Sequence, residues 1–258
     1  INTMNNNGPL LLDIKENVKT YWNERSKTFD DDIGHGADKI ESQLWMQYLS
    51  EIIGKESKII LDVGTGTGMI AIILAELGHK VTGIDIGEKM IDVGRKKAAE
   101  KKLAVIFMPG DAENLPFQDN MYDCVICRHL LWTLPHPDTA IQQWSRVCRP
   151  GGLIIAIDGH QKPQNYFPLV DSNDMKSLNE RQKLWYQMYS PEIIEQLPLK
   201  DVMSVDYLKS FFCNHNLVNV QHLCADEIAE YQKRLMSEEQ QRIEHCEVNF
   251  IWGTVNKS

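Results

Sequence analysis

Residues 58–85 read KIILDVGTGTGMIAIILAELGHKVTGID, and the rest of the chain is arranged around them. Positions 58–63 are a short apolar run, the pattern of a strand buried on both faces of a parallel sheet. Gly64-Thr65-Gly66-Thr67-Gly68 follows at once. Glycines there permit positive φ and leave bare backbone for a ligand. Positions 69–77 continue as an apolar helix, and Gly78 fits its C-terminal stop. Positions 81–84 read as a second buried strand that ends on Asp85. That carboxylate falls beside the glycine loop, where it can accept hydrogen bonds from both hydroxyls of a ribose. Taken alone, the loop could also be a tight turn with no ligand.

The glycine spacing separates two readings. A dinucleotide site asks for G-x-G-x-x-G and an acid about 20 residues on. Here the third glycine comes one residue early, and the position a dinucleotide would want as glycine is Met69. An NAD-dependent oxidoreductase shares the strand, loop and acid, so it stands as the alternative enzyme.

Outward from this unit, 104–108, 122–127 and 153–158 read as further strands. Ligands on open α/β sheets bind beyond the carboxyl ends of strands, where strand order reverses. Arg128, His129 and Trp132 leave the fourth strand there, and Gly159-His160 follows the fifth. Helices are expected at 13–29, 41–53, from Gly87 to about residue 102, and at 139–148. Segment 30–42, DDDIGHGADKIES, is rich in turn formers and reads as a solvated, mobile crossing of the site mouth. Its aspartates beside His35 raise a metal site as the lesser alternative. Four prolines interrupt 161–200, and a long interruption between sheet elements usually forms a functional lid. A helix at 201–216, a strand at 218–224, a charged helical insertion at 226–246 and a strand at 248–255 complete the chain. The insertion reads as a solvated surface or a dimer face.

LDVGTGTG with the later Asp85, then GDAENLPF at 110–117, YDCVICRHLLWTL at 122–134 and RVCRPGG at 146–152, resemble the class I S-adenosylmethionine-dependent methyltransferases, nearest the UbiE-like small-molecule type. The resemblance is good over about 21–158 and vague beyond. It implies a seven-stranded, mostly parallel Rossmann-like methyltransferase sheet with an antiparallel last strand, helices on both faces and a helical cap. The implied organisation is N-terminal helices covering the cofactor site (1–57), a cofactor-binding core (58–160), a cap (161–200) and a C-terminal completion of the core (201–258).

The resemblance further implies S-adenosylmethionine as cofactor and S-adenosylhomocysteine as product. Gly64, Thr65, Gly66 and Gly68 would carry the methionine tail, with Asp85 on the ribose. Ile86 and Met90 would line the nucleoside pocket. Asp111 and the Ala112 N–H would read the adenine amino group and ring nitrogen. Tyr21, Arg25 and Phe29, in a Y-W-x-x-R segment that folds over the cofactor in relatives, would touch its methionine end, with Arg128 nearby. Trp132, Tyr166, Phe167, Trp185 and Tyr189 would surround a small-molecule acceptor. His129 and His160 are the candidate bases, and Arg128 could anchor an acceptor carboxylate or pair with Asp158. A cofactor-binding regulator without turnover would keep the same pocket.

A net charge of −9 argues against a nucleic-acid backbone or a polybasic membrane contact. No run approaches the roughly 20 apolar residues that span a bilayer, and the first residues lack the pattern of a signal peptide. Cys124 and Cys127 fall three apart on one strand, hence on opposite faces, which suits neither a shared metal nor a redox pair. No metal is expected. Cys124 and Cys127 read as reduced core thiols, which fits a cytoplasmic protein.

Overall fold

The computed structural model describes residues 11–158, 178–201, 203–238, 241 and 247–257. The chain begins with α1 (Leu11–Arg25), a 3₁₀ turn (Phe29–Asp31) and α2 (Lys39–Ile53). The central unit follows as β1 (Ile59–Val63), α3 (Met69–Glu76), β2 (Lys80–Asp85), α4 (Glu88–Glu100), β3 (Val105–Pro109) and β4 (Tyr122–Arg128). After a 3₁₀ turn (Leu131–Thr133) come α5 (Pro137–Val147) and β5 (Cys148–Asp158). The remaining described elements are α6 (Glu180–Met188), α7 (Pro191–Ile194), α8 (Val205–Asn214), β6 (Leu217–Cys224), α9 (Asp226–Leu235) and β7 (Asn249–Val255).

The strands form one sheet in the order β3-β2-β1-β4-β5-β7-β6. β1 to β5 run parallel, and β7 lies antiparallel between β5 and β6. This is the sheet the sequence implied, with β6 as the outer edge.

Register does the work of assembling a site. Val63 pairs with Ile84 on one side and Cys127 on the other. The chain therefore leaves β1, β2 and β4 side by side, at the switch in strand order, with Gly64, Asp85 and Arg128 together. Asp85 pairs with Pro109 and Arg128 with Ile157, which adds Asp111 and Asp158 to the same edge.

Two apolar layers cover the sheet. One joins Val63, Val125 and Cys127 to Ile141 and Trp144 of α5 and to Phe211 and Phe212 of α8. The other joins Cys124 and Ile126 to Trp45 and Leu49 of α2, Ile73 of α3, Ile91 of α4 and Ile228 of α9. Cys124 and Cys127 thus lie in opposite layers, as the strand period requires, and burial pushes both thiols well above their ordinary range. A third cluster joins the first layer through Trp132. Ile14, Val18 and Tyr21 of α1 pack with Trp185 of α6, Tyr189, Ile193 of α7 and Leu197.

Several boundaries differ from expectation for local reasons. α1 stops at Arg25, because the Arg25 guanidinium ties Thr28 and Asp32 into a turn. α2 starts at Lys39, because Asp38 Oδ1 accepts from Ile40 N at 2.8 Å and Glu41 N at 2.9 Å and caps it. β5 takes in the R-P-G-G turn and starts at Cys148. The insertion helix is not wholly solvated. Ile228, Ala229 and Gln232 of α9 are buried, and Gln232 Nε2 donates to Glu41 Oε1 at 2.7 Å. No helix among the described residues is long and apolar enough to cross a membrane.

Candidate active site

One cavity opens at the carboxyl edge of the sheet between the glycine loop and the α1–α6 cap. Its floor is the loop after β1. Thr65 N donates to Ile84 O at 2.9 Å, and Thr65 Oγ1 donates to Asp62 Oδ2 at 2.6 Å. Gly64, Gly66 and Gly68 all take positive φ, at 67°, 56° and 81°. The bare Gly66 backbone lies beneath Met90 and Phe29, whose nearest carbons would be 3.5 and 3.6 Å from a Cβ there.

Asp85 sits at the end of β2, 9% exposed. Its Oδ2 accepts from Gly66 N at 2.9 Å and its Oδ1 from Gly87 N at 2.7 Å. Each carboxylate oxygen keeps a further lone-pair direction for a ligand hydroxyl. Burial raises this carboxyl to about 6 against the pull of those two N–H groups. Burial likewise lifts Asp62 to about 7, the nearby Asp85 adding to it while Thr65 and Ala71 hold it back. A cationic or hydroxyl-bearing ligand favours the ionised form of these acids.

At the next strand end, Asp111 Oδ1 accepts from Glu113 N at 2.9 Å, and Lys15 of α1 reaches both acids, 2.7 Å from Asp111 Oδ2 and 2.6 Å from Glu113 Oε2. Burial works to lower the Lys15 ammonium, but its hydrogen bonds to the two acids hold it above its ordinary range. α1 is also tied to α4, where Asn23 Oδ1 accepts from Lys89 N at 2.9 Å. The Phe29–Asp31 turn is pinned by Asp30, which takes Lys97 Nζ at 2.8 Å and the Thr67 hydroxyl.

His129 lies at the end of β4 in the left-handed region, φ 51°. Its N–H donates to Ile157 O at 3.0 Å, and its Nδ1 stands 3.5 Å from Asp158 Oδ1. Burial and the Arg128 charge hold its imidazole below the ordinary value, partly offset by Asp158. Arg128 donates to Gly34 O, lies 3.4 Å from Met69 Sδ and stacks 5.1 Å over Trp45.

The structure brings most of the sequence-derived candidates together. Tyr21, Arg25, Phe29, Gly64, Thr65, Gly66, Asp85, Ile86, Met90, Asp111, Ala112, Arg128, His129, Trp132 and Trp185 all border this cavity. Two do not. A Cβ on Gly68 would lie 2.6 Å from Phe107 Cζ, so this glycine faces β3 and serves helix-to-strand packing. Tyr189 is fully buried behind Trp185, stacked on it at 4.2 Å, and supports the cap rather than reaching an acceptor. His160, Tyr166 and Phe167 lie outside the described residues.

The loop read as solvated and mobile is part of the wall. Gly34 is buried, and His35 borders the cavity with its ring 4.3 Å from Phe29. Lys15, Trp22, Asp32, His35 and Arg181 also line the cavity and were missed. The i, i+3/i+4 spacing of Lys15, Val18, Trp22 and Arg25 could have revealed the first two. Nothing local marks Arg181. Among the described residues, no group of three or more His, Cys, Asp or Glu is placed to hold a metal.

The cavity offers what a nucleoside sulfonium needs: an acid with lone pairs to spare, bare glycine backbone, and orphaned buried polar atoms, Arg25 Nε and His35 Nδ1. Comparison with known proteins agrees. Residues 61–156 match the family profile described as "Methyltransferase domain". The ubiquinone/menaquinone biosynthesis C-methyltransferase UbiE of Pseudomonas entomophila is 36% identical over 129 residues, 48% of this chain and 50% of that one. The chain thus spans about half the length of the curated relatives it matches. In fold, the chain is similar to phosphoethanolamine N-methyltransferase 2 of Haemonchus contortus, solved with phosphomonomethylethanolamine and S-adenosylhomocysteine. The TM-score is 0.63 at 16% identity, covering 94% of this chain and 59% of that one. A SAM-dependent methyltransferase from Aquifex aeolicus gives a TM-score of 0.57 at 18% identity, over 90% of this chain and 98% of that one. Residues 61–156 thus match a methyltransferase domain, set in a sheet whose fold is that of solved methyltransferases.

Proposed function

We propose that this chain transfers a methyl group from S-adenosylmethionine to a small-molecule acceptor held between the glycine loop and the cap. The carrying observation is a single cavity that joins Asp85 and the bare Gly66 backbone to a partly buried His129 backed by Asp158. The cofactor supplies a methyl already activated on a sulfonium. The protein's tasks are to hold the acceptor in line, exclude water and take up a proton.

Asp85 grips the ribose, Asp111 and the Ala112 N–H face the adenine, and Gly64 to Gly66 lie under the methionine tail. Arg25, fixed on Asp32, turns to the methionine end. Orientation of this kind accounts for effective molarities of about 10⁵–10⁸ M. His129 is the base of this reading. Asp158 favours the tautomer with a proton on Nδ1, which leaves Nε2 to accept one. Its lowered pKa keeps the ring neutral at pH 7, and so able to accept a proton.

The acceptor atom is set by the cap, and the family match at 61–156 ends before it. UbiE is named for transfer to carbon, and the Haemonchus enzyme for transfer to nitrogen. The acidic chain and reduced buried thiols support a cytoplasmic enzyme that does not act on nucleic acid. The exposed face of α9 offers a contact for a second copy. The test is calorimetry with S-adenosylhomocysteine, followed by tritium transfer from labelled cofactor into the small-molecule fraction of a cell extract. A response to a nicotinamide nucleotide in place of the sulfonium product, or label incorporated into no small molecule, refutes the reading.

A further inference from the structure

α1 crosses the cavity lengthwise. Lys15, Val18, Trp22 and Arg25 all border it, and Lys15 stands about 15 Å along the helix from Arg25. The strand order fixes what lies beneath. Asp85 ends β2, with the glycine loop after β1 on one side and Asp111, after β3, on the other. A nucleoside with its ribose on Asp85 and its tail on the glycine loop therefore carries its base to Asp111, where Lys15 stands.

Lys15 binds two acids there. Its Nζ lies 2.7 Å from Asp111 Oδ2 and 2.6 Å from Glu113 Oε2. The two acids are held differently. The Glu113 side chain is 4% exposed, and its Oε1 accepts from His136 N at 2.7 Å. Packing and that bond keep Glu113 in place without Lys15. The Asp111 side chain is 33% exposed, and its Oδ1 accepts from Glu113 N at 2.9 Å. The last torsion of an aspartate is soft, so a carboxylate tied at Oδ1 alone is free to turn. Lys15 supplies the second tie, at Oδ2.

Docking of α1 does not rest on this lysine. Lys19 Nζ reaches Glu88 Oε1 at 3.2 Å, and Asn23 Oδ1 accepts from Lys89 N at 2.9 Å. Ile14, Val18 and Tyr21 bury the other side of the helix in the third apolar cluster. What Lys15 adds is the aim of one carboxylate. An ionised carboxylate accepts and does not donate, and each oxygen of Asp111 keeps a lone-pair direction to spare. An exocyclic amine on the base fills one of them. A carbonyl at the same ring position sets oxygen against oxygen.

Building on the methyl-transfer reading, we propose that Lys15 is a positioning residue for cofactor selection. It acts through Asp111, holding that carboxylate where a 6-amino purine satisfies it and a 6-oxo purine does not.

The experiment is calorimetry on the full chain with S-adenosylhomocysteine and its 6-oxo counterpart, S-inosylhomocysteine. The amino ligand should bind about tenfold or more tightly, the worth of one hydrogen bond to a charged group. Lys15→Met should erase most of that ratio by weakening the amino ligand alone, and Lys15→Arg should keep it. In an Asp111→Asn chain the ratio should be gone already, and adding Lys15→Met should change neither affinity. A lysine that merely fastens α1 would instead weaken both ligands together, in either background. Lys15→Met leaves the buried Glu113 charge without its partner. Should that variant fail to fold, Lys15→Met with Glu113→Gln takes its place with the same expectation. A ratio untouched by the variants, or affinity lost equally for both ligands, overturns the positioning role and leaves methyl transfer standing. No preference in the unsubstituted chain overturns base reading by Asp111 and this proposal with it. Failure of that chain to bind S-adenosylhomocysteine overturns the methyl-transfer reading as well.

Discussion

Replacing Asp85 by Asn probes the ribose assignment directly. In the structure the carboxylate accepts one backbone N–H on each oxygen, Gly87 at 2.7 Å and Gly66 at 2.9 Å. The amide keeps one oxygen and turns two N–H donors on the other. One backbone donor then faces another donor, and one of the two ribose acceptors is gone. A lost hydrogen bond to a charged group is worth about 1.5–3 kcal/mol, or about 10- to 150-fold in Kd. Charge gives a second signature. With a folded pKa of about 6 against 3.8 in the open chain, the folded state holds the extra proton between those values. Stability therefore falls as pH rises through that window, and the cost of ionising Asp85 is complete above it. At pH 7 this is on the order of 3 kcal/mol, which Asn does not bear. Asp85→Asn should thus melt within about 1 kcal/mol of the unsubstituted protein, the relieved charge offsetting the crowded donor. The ligand wants the ionised acid, so the affinity gap between the two proteins should narrow as pH drops below 6. Calorimetry with S-adenosylhomocysteine at pH 5.5 to 8 reads both effects, and equal affinities at pH 8 would refute the assignment.

Three further outcomes follow from the same geometry. Gly68→Ala sets a Cβ against the Phe107 ring at a φ of 81° and should destabilise the fold by about 1–3 kcal/mol. Phe107→Leu in the same chain should recover part of that loss, and thermal melts showing no coupling would contradict the packing role. His129→Ala should lower kcat by about 10²–10⁴-fold without weakening product binding. The acid limb of the unsubstituted kcat profile should lie below the ordinary histidine range, because desolvation and the Arg128 charge hold the ring's pKa down; a rate unchanged in the variant removes His129 as the base. Trp185→Ala should loosen the cap by about 3–5 kcal/mol. Hydrogen exchange should quicken in α1 and α6 and leave β1, β4 and β5 unchanged, since the third apolar cluster has its own buried residues and meets the first sheet layer through Trp132; a uniform rise across the sheet would argue against an independent cap.

What could be read from the sequence alone was whatever has a short repeat or a local conformational demand. The run at 58–85 announces strand, loop, helix and strand within one window, and Asp85 is placed by the end of its own strand. The opposite facing of Cys124 and Cys127 follows from the two-residue period of β4. The seven-stranded, mostly parallel sheet was implied by the family resemblance, and the strand order came from the structure. Tertiary structure decided the rest. Gly68 looks like its two companions until Phe107, 39 positions on, is seen to occupy the space beside it. His35 belongs to a segment whose composition suits solvent, yet Arg128 and Phe29 draw it into the wall. Arg181 meets Asp32 across 149 residues, and no periodicity carries that information. Local sequence encodes backbone geometry because sterics act between neighbours. A pocket's charge and shape depend on side chains that only the folded sheet brings within a few ångströms of one another.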